Sequence, residues 1–136
     1  QQATELGAGE LLVTSINKEG TGRGFDLELT RRIAGMVPIP VIACGGAGKI
    51  SDVYDVATQG KADAVCLASL IHYNFVKSQD SQGDNSGEQS NEGNTEFLRN
   101  RAVSSVFEDS GIQNIKDHLQ QNGISCRPAI KVDDHA

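Results

Sequence analysis

The alternation of short apolar runs with helical patterns over the first half of the chain most restricts its fold. Three runs are apolar nearly throughout and partly β-branched: residues 11–16 (LLVTSI), 40–44 (PVIAC) and 64–69 (AVCLAS). Runs this short and this apolar suit strands covered on both faces, as in a parallel sheet. Between the first two, residues 26–37 set Leu29, Ile33 and Val37 four apart, with Leu27 nearby, which predicts a helix. Between the last two, residues 51–59 start at Ser51, a good N-cap, and carry Val53, Val56 and Ala57 on one side. The order is β, loop, α, β, Gly-rich loop, α, β. Such a βαβαβ unit has parallel strands and right-handed crossovers.

Composition agrees with that reading. With 136 residues, 38% of them hydrophobic and 22% charged, the chain is long enough for one domain with a core. Aromatic residues make up 4% and Trp is absent, so Val, Ile, Leu and Ala must fill the interior. The formal net charge of −6 argues against broad nucleic-acid binding, which needs Lys and Arg along the phosphates. It leaves room for one small phosphorylated ligand held by backbone N–H groups. Cys44, Cys66 and Cys126 are far apart in sequence and odd in number, with no CxxC pair. Neither a zinc site nor a disulfide framework follows, no cofactor motif is present, and a reducing, cytoplasmic setting is expected. No apolar run reaches membrane-spanning length and no signal peptide is evident, so no membrane association is expected. The start at Gln1, without Met and inside what reads as the end of a helix, points to a fragment.

The second half changes character. Residues 77–95 are rich in Ser, Asn, Gln, Asp, Glu and Gly without apolar periodicity, and read as a disordered or mobile stretch. Residues 98–107 form a short helix in this reading. Ile112, Ile115 and Leu119 then give residues 111–122 a helical face, with Gly123 as its C-cap. The chain thus divides into βα units over 1–73, a polar insertion over 74–110, a final helix and tail over 111–128, and a loose end over 129–136.

Three places carry the chemistry. The loop Asn17-Lys18-Glu19-Gly20-Thr21-Gly22-Arg23-Gly24 leaves the C-terminal end of the first strand and holds three glycines, which allow positive φ and close backbone approach to a ligand. It can equally be a flexible connection. Gly45-Gly46-Ala47-Gly48 follows the second strand directly, where glycines expose N–H groups near a helix N-terminus that favours an anion. The alternative is a tight βα turn; the spacing is not GxGxxG, and no lysine completes a P-loop. Ala68-Ser69 ends the third run, where small size leaves space and a hydroxyl can complete a cradle. Two such strand ends side by side favour phosphate over either bland reading. Thr14 points into the sheet's interior face by alternation, and Glu10, at the opposite strand end, is ordinarily a solvated carboxylate. His72, His118 and His135 lack partner patterns, and Cys44 and Cys66 read as small core residues.

These blocks resemble the cyclase subunit family of imidazole glycerol phosphate synthase. The matching stretches are GAGELLVTSINKEGTGRGFDLEL (residues 7–29), PVIACGGAG (40–48), ADAVCLASLIHY (62–73) and IKDHLQQNGISCRP (115–128), in family order. The resemblance implies an α/β fold, the C-terminal portion of a (β/α)₈ TIM barrel, with the three runs as strands six to eight and a long polar insertion before the last helix. It implies a phosphate site at Glu19, Gly20, Gly45, Gly46, Ala68 and Ser69, with Thr14 lining the active site. Glu10 falls on the charged ring through which ammonia arrives from a glutaminase partner. The implied reaction joins ammonia to a phosphoribulosyl aminoimidazole carboxamide nucleotide, giving imidazole glycerol phosphate and aminoimidazole carboxamide ribotide in histidine biosynthesis.

The sequence also departs from the family. Asn17 and Glu19 stand where the family usually has Asp, Cys44 stands where it has Ser, and the 74–110 segment has no counterpart of that length in the family's pattern. The family's two catalytic aspartates lie on strands one and five, so no catalytic residue is expected in this chain. A complete barrel takes ~250 residues; the fragment alone is expected to be inactive, with an open sheet edge and one exposed apolar face. Two alternatives share the same blocks. One is a cyclase-like paralogue that pairs with an amidotransferase to amidate a surface-polysaccharide sugar; the other is a phosphate-binding fragment without turnover.

Overall fold

In the computed structural model, which describes residues 1–81, 107–108 and 110–127, the expected alternation is present. A short helix α1 (Gln2–Glu5) precedes β1 (Leu11–Thr14), α2 (Leu27–Ala34), β2 (Val41–Cys44), α3 (Ile50–Thr58), β3 (Ala64–Cys66) and α4 (Ser69–Ser81), and α5 (Ile112–Gln121) closes the described chain. All strands are parallel in the order β1-β2-β3. Leu11 pairs with Val41 and Thr14 with Cys44; Ile42 pairs with Ala64 and Cys44 with Cys66.

Local signals account for the helix ends. Asp26 caps α2 by accepting the Leu29 N–H at 3.0 Å, and Gly35 with the nearby Pro38 ends the helix before residue 37. The start of α3 differs from expectation. Lys49, not Ser51, is the N-cap, and Asp52 in the third helical position supplies the acceptor, taking the Gly48 and Lys49 N–H groups at 2.9 and 3.0 Å. Gly123 follows α5 at φ +78 and donates to Gln120, while Ile124 donates to Leu119, a Schellman ending. Ser69 opens α4 instead of ending a strand, and that helix occupies residues 77–81, the beginning of the stretch expected to be loop. The rest of that stretch, the short helix expected over 98–107 (save Phe107) and the tail from residue 128 lie outside the described residues.

The helices cover one face of the sheet. Val53 and Val56 of α3, Leu70 and Tyr73 of α4, and Ile115 and Leu119 of α5 pack with Phe25, Ala43 and Phe107 into one core. The Tyr73 and Phe107 rings stack with centroids 4.8 Å apart. On the other face Thr14, Ala64 and Cys66 are exposed, as is Leu12 at 60%. The expectation of strands covered on both faces therefore fails among the described residues, and the exposed apolar face is present.

Burial pushes the Tyr73 phenol above its ordinary value near 10. The unfolded chain then ionises first, so Tyr73 contributes stability fully below about pH 10 and loses it as pH rises toward the folded value. Urea midpoints measured from neutral to alkaline pH are expected to fall less steeply in Tyr73→Phe than in the parent protein. Parallel curves would show that Tyr73 does not couple folding to pH.

Candidate phosphate-binding site

The turn after β2 is built around backbone that only glycine adopts readily. Gly45 and Gly46 have φ of +91 and +106. A Cβ on Gly45 would lie 2.7 Å from Glu19 Oε2, and one on Gly46 would collide with the Gly24 carbonyl. The Gly24 N–H donates to the Gly46 carbonyl at 2.8 Å, and a Cβ on Gly48 would overlap the Gly22 carbonyl. The loop after β1 therefore lies directly on the turn after β2. Its own shape comes from Ser15, whose carbonyl accepts the Lys18 and Glu19 N–H groups at 3.1 and 2.9 Å. Ser15 Oγ donates to Asp26 Oδ2 at 3.1 Å, tying the loop's start to the cap of α2.

A small cavity of about 30 Å³ opens between this turn and the start of α4. Glu19, Gly20, Gly45, Gly46, Ala68 and Ser69 all line it. Residues far apart in sequence thus meet at the C-terminal ends of three parallel strands. Thr14 is exposed on the open face at the end of β1, outside the cavity lining. Glu10 is exposed just before β1, at the opposite end of the strand.

The donors are in part not where the sequence suggested. The N-terminus of α3 is already occupied: Asp52 takes the Gly48 and Lys49 N–H groups, and Glu108 Oε2 accepts the Ile50 N–H at 2.7 Å. An anion cannot use those groups. Among the described residues, the Gly46 and Ala47 N–H groups have no protein acceptor, and they border the cavity. On the far wall α4 begins at Ser69, and the His72 N–H donates to the Ala68 carbonyl at 2.9 Å. The Ser69, Leu70 and Ile71 N–H groups precede that first bond and are the unpaired donors of the first turn. Of these donor residues, Gly46, Ala47, Ser69 and Leu70 line the cavity. Glu19 is the sole charged side chain among the described lining residues, so an anion here depends on backbone dipoles.

The Asp52 cap was readable as an acidic residue in the first turn of a helix; the Glu108 contact spans 58 positions and left no local signal. His72 lies outside the lining and sets its ring edge-on to Tyr73, and His118 does the same with Tyr54. No cluster of three or more His, Cys, Asp or Glu among the described residues could hold a metal ion. No helix among them is long and apolar enough to cross a membrane.

Comparison with known proteins adds a family. The model of a family described as histidine biosynthesis protein matches residues 1–77. The chain is 46% identical over 108 residues to the imidazole glycerol phosphate synthase subunit HisF of Lachnoclostridium phytofermentans, covering 79% of this chain and 37% of that protein. It is 58% identical over 73 residues to the protein of that name from Trichormus variabilis, covering 54% and 28%. Against that of Pyrobaculum aerophilum it is 56% identical over 76 residues, covering 56% and 30%. The chain spans about a third of the length of the curated relatives it matches.

Proposed function

The chain belongs to the histidine biosynthesis protein family, and from that premise we propose that it is the C-terminal part of a (β/α)₈-barrel cyclase subunit that holds the phosphate end of its substrate. The carrying observation is that residues with free N–H groups from two strand ends, Gly46-Ala47 and Ser69-Leu70, line one cavity. Sequential strand order with α2, α3, α4 and α5 on one face among the described residues supports a barrel over a doubly wound sheet, where the order reverses and helices cover both faces. β1, β2 and β3 are then strands six, seven and eight, and the barrel loops after seven and eight are frequent phosphate sites.

Each residue has a definite part in this reading. Gly45 and Gly46 let the backbone approach the phosphate oxygens, and Ala68 leaves room for them. The Ser69 hydroxyl and N–H donate from the other side. Glu19 cannot accept from a phosphate dianion, so its carboxylate accepts hydroxyls of the sugar chain next to the phosphate, while Gly20 lets the loop turn over them. Thr14 faces the substrate from the barrel interior. Glu10, at the far end of the strand, belongs to the entry for ammonia delivered by a glutaminase subunit. The reaction is the ammonia-dependent cyclisation and cleavage of a phosphoribulosyl aminoimidazole carboxamide nucleotide, in a reducing, cytoplasmic compartment. Its acid–base groups come from strands other than these three, and no cofactor is needed.

Ser69→Asp in the full-length protein sets a carboxylate against the phosphate and removes a donor, and is expected to raise KM about tenfold or more, with a smaller change in kcat. An unchanged KM would remove Ser69 from the site. The full-length protein is also expected to restore growth of a histidine auxotroph lacking the cyclase. Failure with soluble protein present would overturn the pathway assignment.

A further inference from the structure

Cys44 and Cys66 form a pair that phosphate binding does not use. They are partners in the β2–β3 register, so their side chains leave the same open face of the sheet. Both line the strand-end cavity, both are free thiols, and Cys66 is exposed. Neighbouring strands run about 4.8 Å apart, inside the roughly 4.4–6.8 Å Cα separation that a disulfide spans. Cys126 is engaged elsewhere, its thiol donating to the Lys116 carbonyl of α5 at 3.7 Å.

We propose that Cys44 and Cys66 are a dithiol–disulfide modification site that a low-molecular-weight disulfide oxidises. The exposed Cys66 loses its proton and attacks one sulfur of the reagent, releasing the first small thiol and leaving a mixed disulfide. Cys44 then loses its proton, attacks the Cys66 sulfur and releases the second. One S–S bond breaks and one forms; two electrons pass from the protein thiols to the reagent, and the two protons end on the released thiols. The bond ties the residue before Gly45 to the residue two before Ala68, which clamps the ends of β2 and β3 together. Cys44 beside it, and then burial, hold the Cys66 thiol above its ordinary range, so the reaction quickens as pH rises.

The test is independent of the phosphate reading. Full chain carrying Cys126→Ser is treated with glutathione disulfide, either folded or in urea, and the proteolytic peptides are mapped by mass. The expected product is the Cys44 peptide linked to the Cys66 peptide, formed about tenfold or more faster in the folded chain and reversed by dithiothreitol. Cys44→Ser is expected to stop at a glutathione adduct on Cys66. Persistent glutathione adducts with no crosslink in the parent, or equal crosslinking rates folded and unfolded, would overturn the proposal.

Discussion

Gly46→Val is expected to weaken binding of inorganic phosphate by about two orders of magnitude, a loss of roughly 2–4 kcal/mol. Two physical effects combine. Gly46 sits at φ +106, where a side chain costs about 1–3 kcal/mol and a β-branched one lies at the upper end. The added Cβ also collides with the Gly24 carbonyl, so the loop after β1 must lift and the 2.8 Å Gly24–Gly46 hydrogen bond breaks, worth about 1 kcal/mol more. Lifting the loop moves Glu19 and Gly20 off the cavity together with the Gly46 and Ala47 N–H groups. Calorimetric titration of the full-length protein with phosphate, beside a circular dichroism check of the fold, measures this. A folded variant with the parent's affinity would place the anion elsewhere.

The second large effect is on stability. Leu70→Ala should cost about 2–5 kcal/mol, the usual range for truncating a buried leucine. Leu70 is 1% exposed and belongs to the core that α4 shares with α3 and α5. A domain of this kind has about 5–15 kcal/mol in total, so the urea midpoint should fall sharply. Leu70 is in the first turn of α4, next to Ser69, so the same change loosens the donors on the far wall of the cavity. A loss well under 1 kcal/mol would mean that α4 is held by something other than this core.

Much of the framework was legible because its causes are local. The three apolar runs became β1, β2 and β3, and the spacing of Leu29 with Ile33 and of Ile115 with Leu119 marked α2 and α5. Gly45-Gly46 announced a turn with positive φ, since few other residues adopt it. Ser69 reads as a strand end because Ala64–Ala68, directly before it, is apolar throughout. The helical spacing of Leu70 and Tyr73 is too brief to compete with that signal. The Ser51 hydroxyl suits the cap of α3, but Asp52 has the stronger acceptor and is in reach of two N–H groups.

The order of elements, the parallel strands and the glycines at the strand ends follow from residue chemistry within a few positions of each site. Which N–H groups remain free for a ligand does not. That depends on Glu108 reaching back across 58 positions to the start of α3, and on α4 beginning where it does. The Cys44–Cys66 pairing likewise depends on the β2–β3 register, which a helix between two strands leaves unspecified in sequence. Packing of the helices on one face sets that register, because a slip by one residue would turn Ala43 and Val65 out of the core.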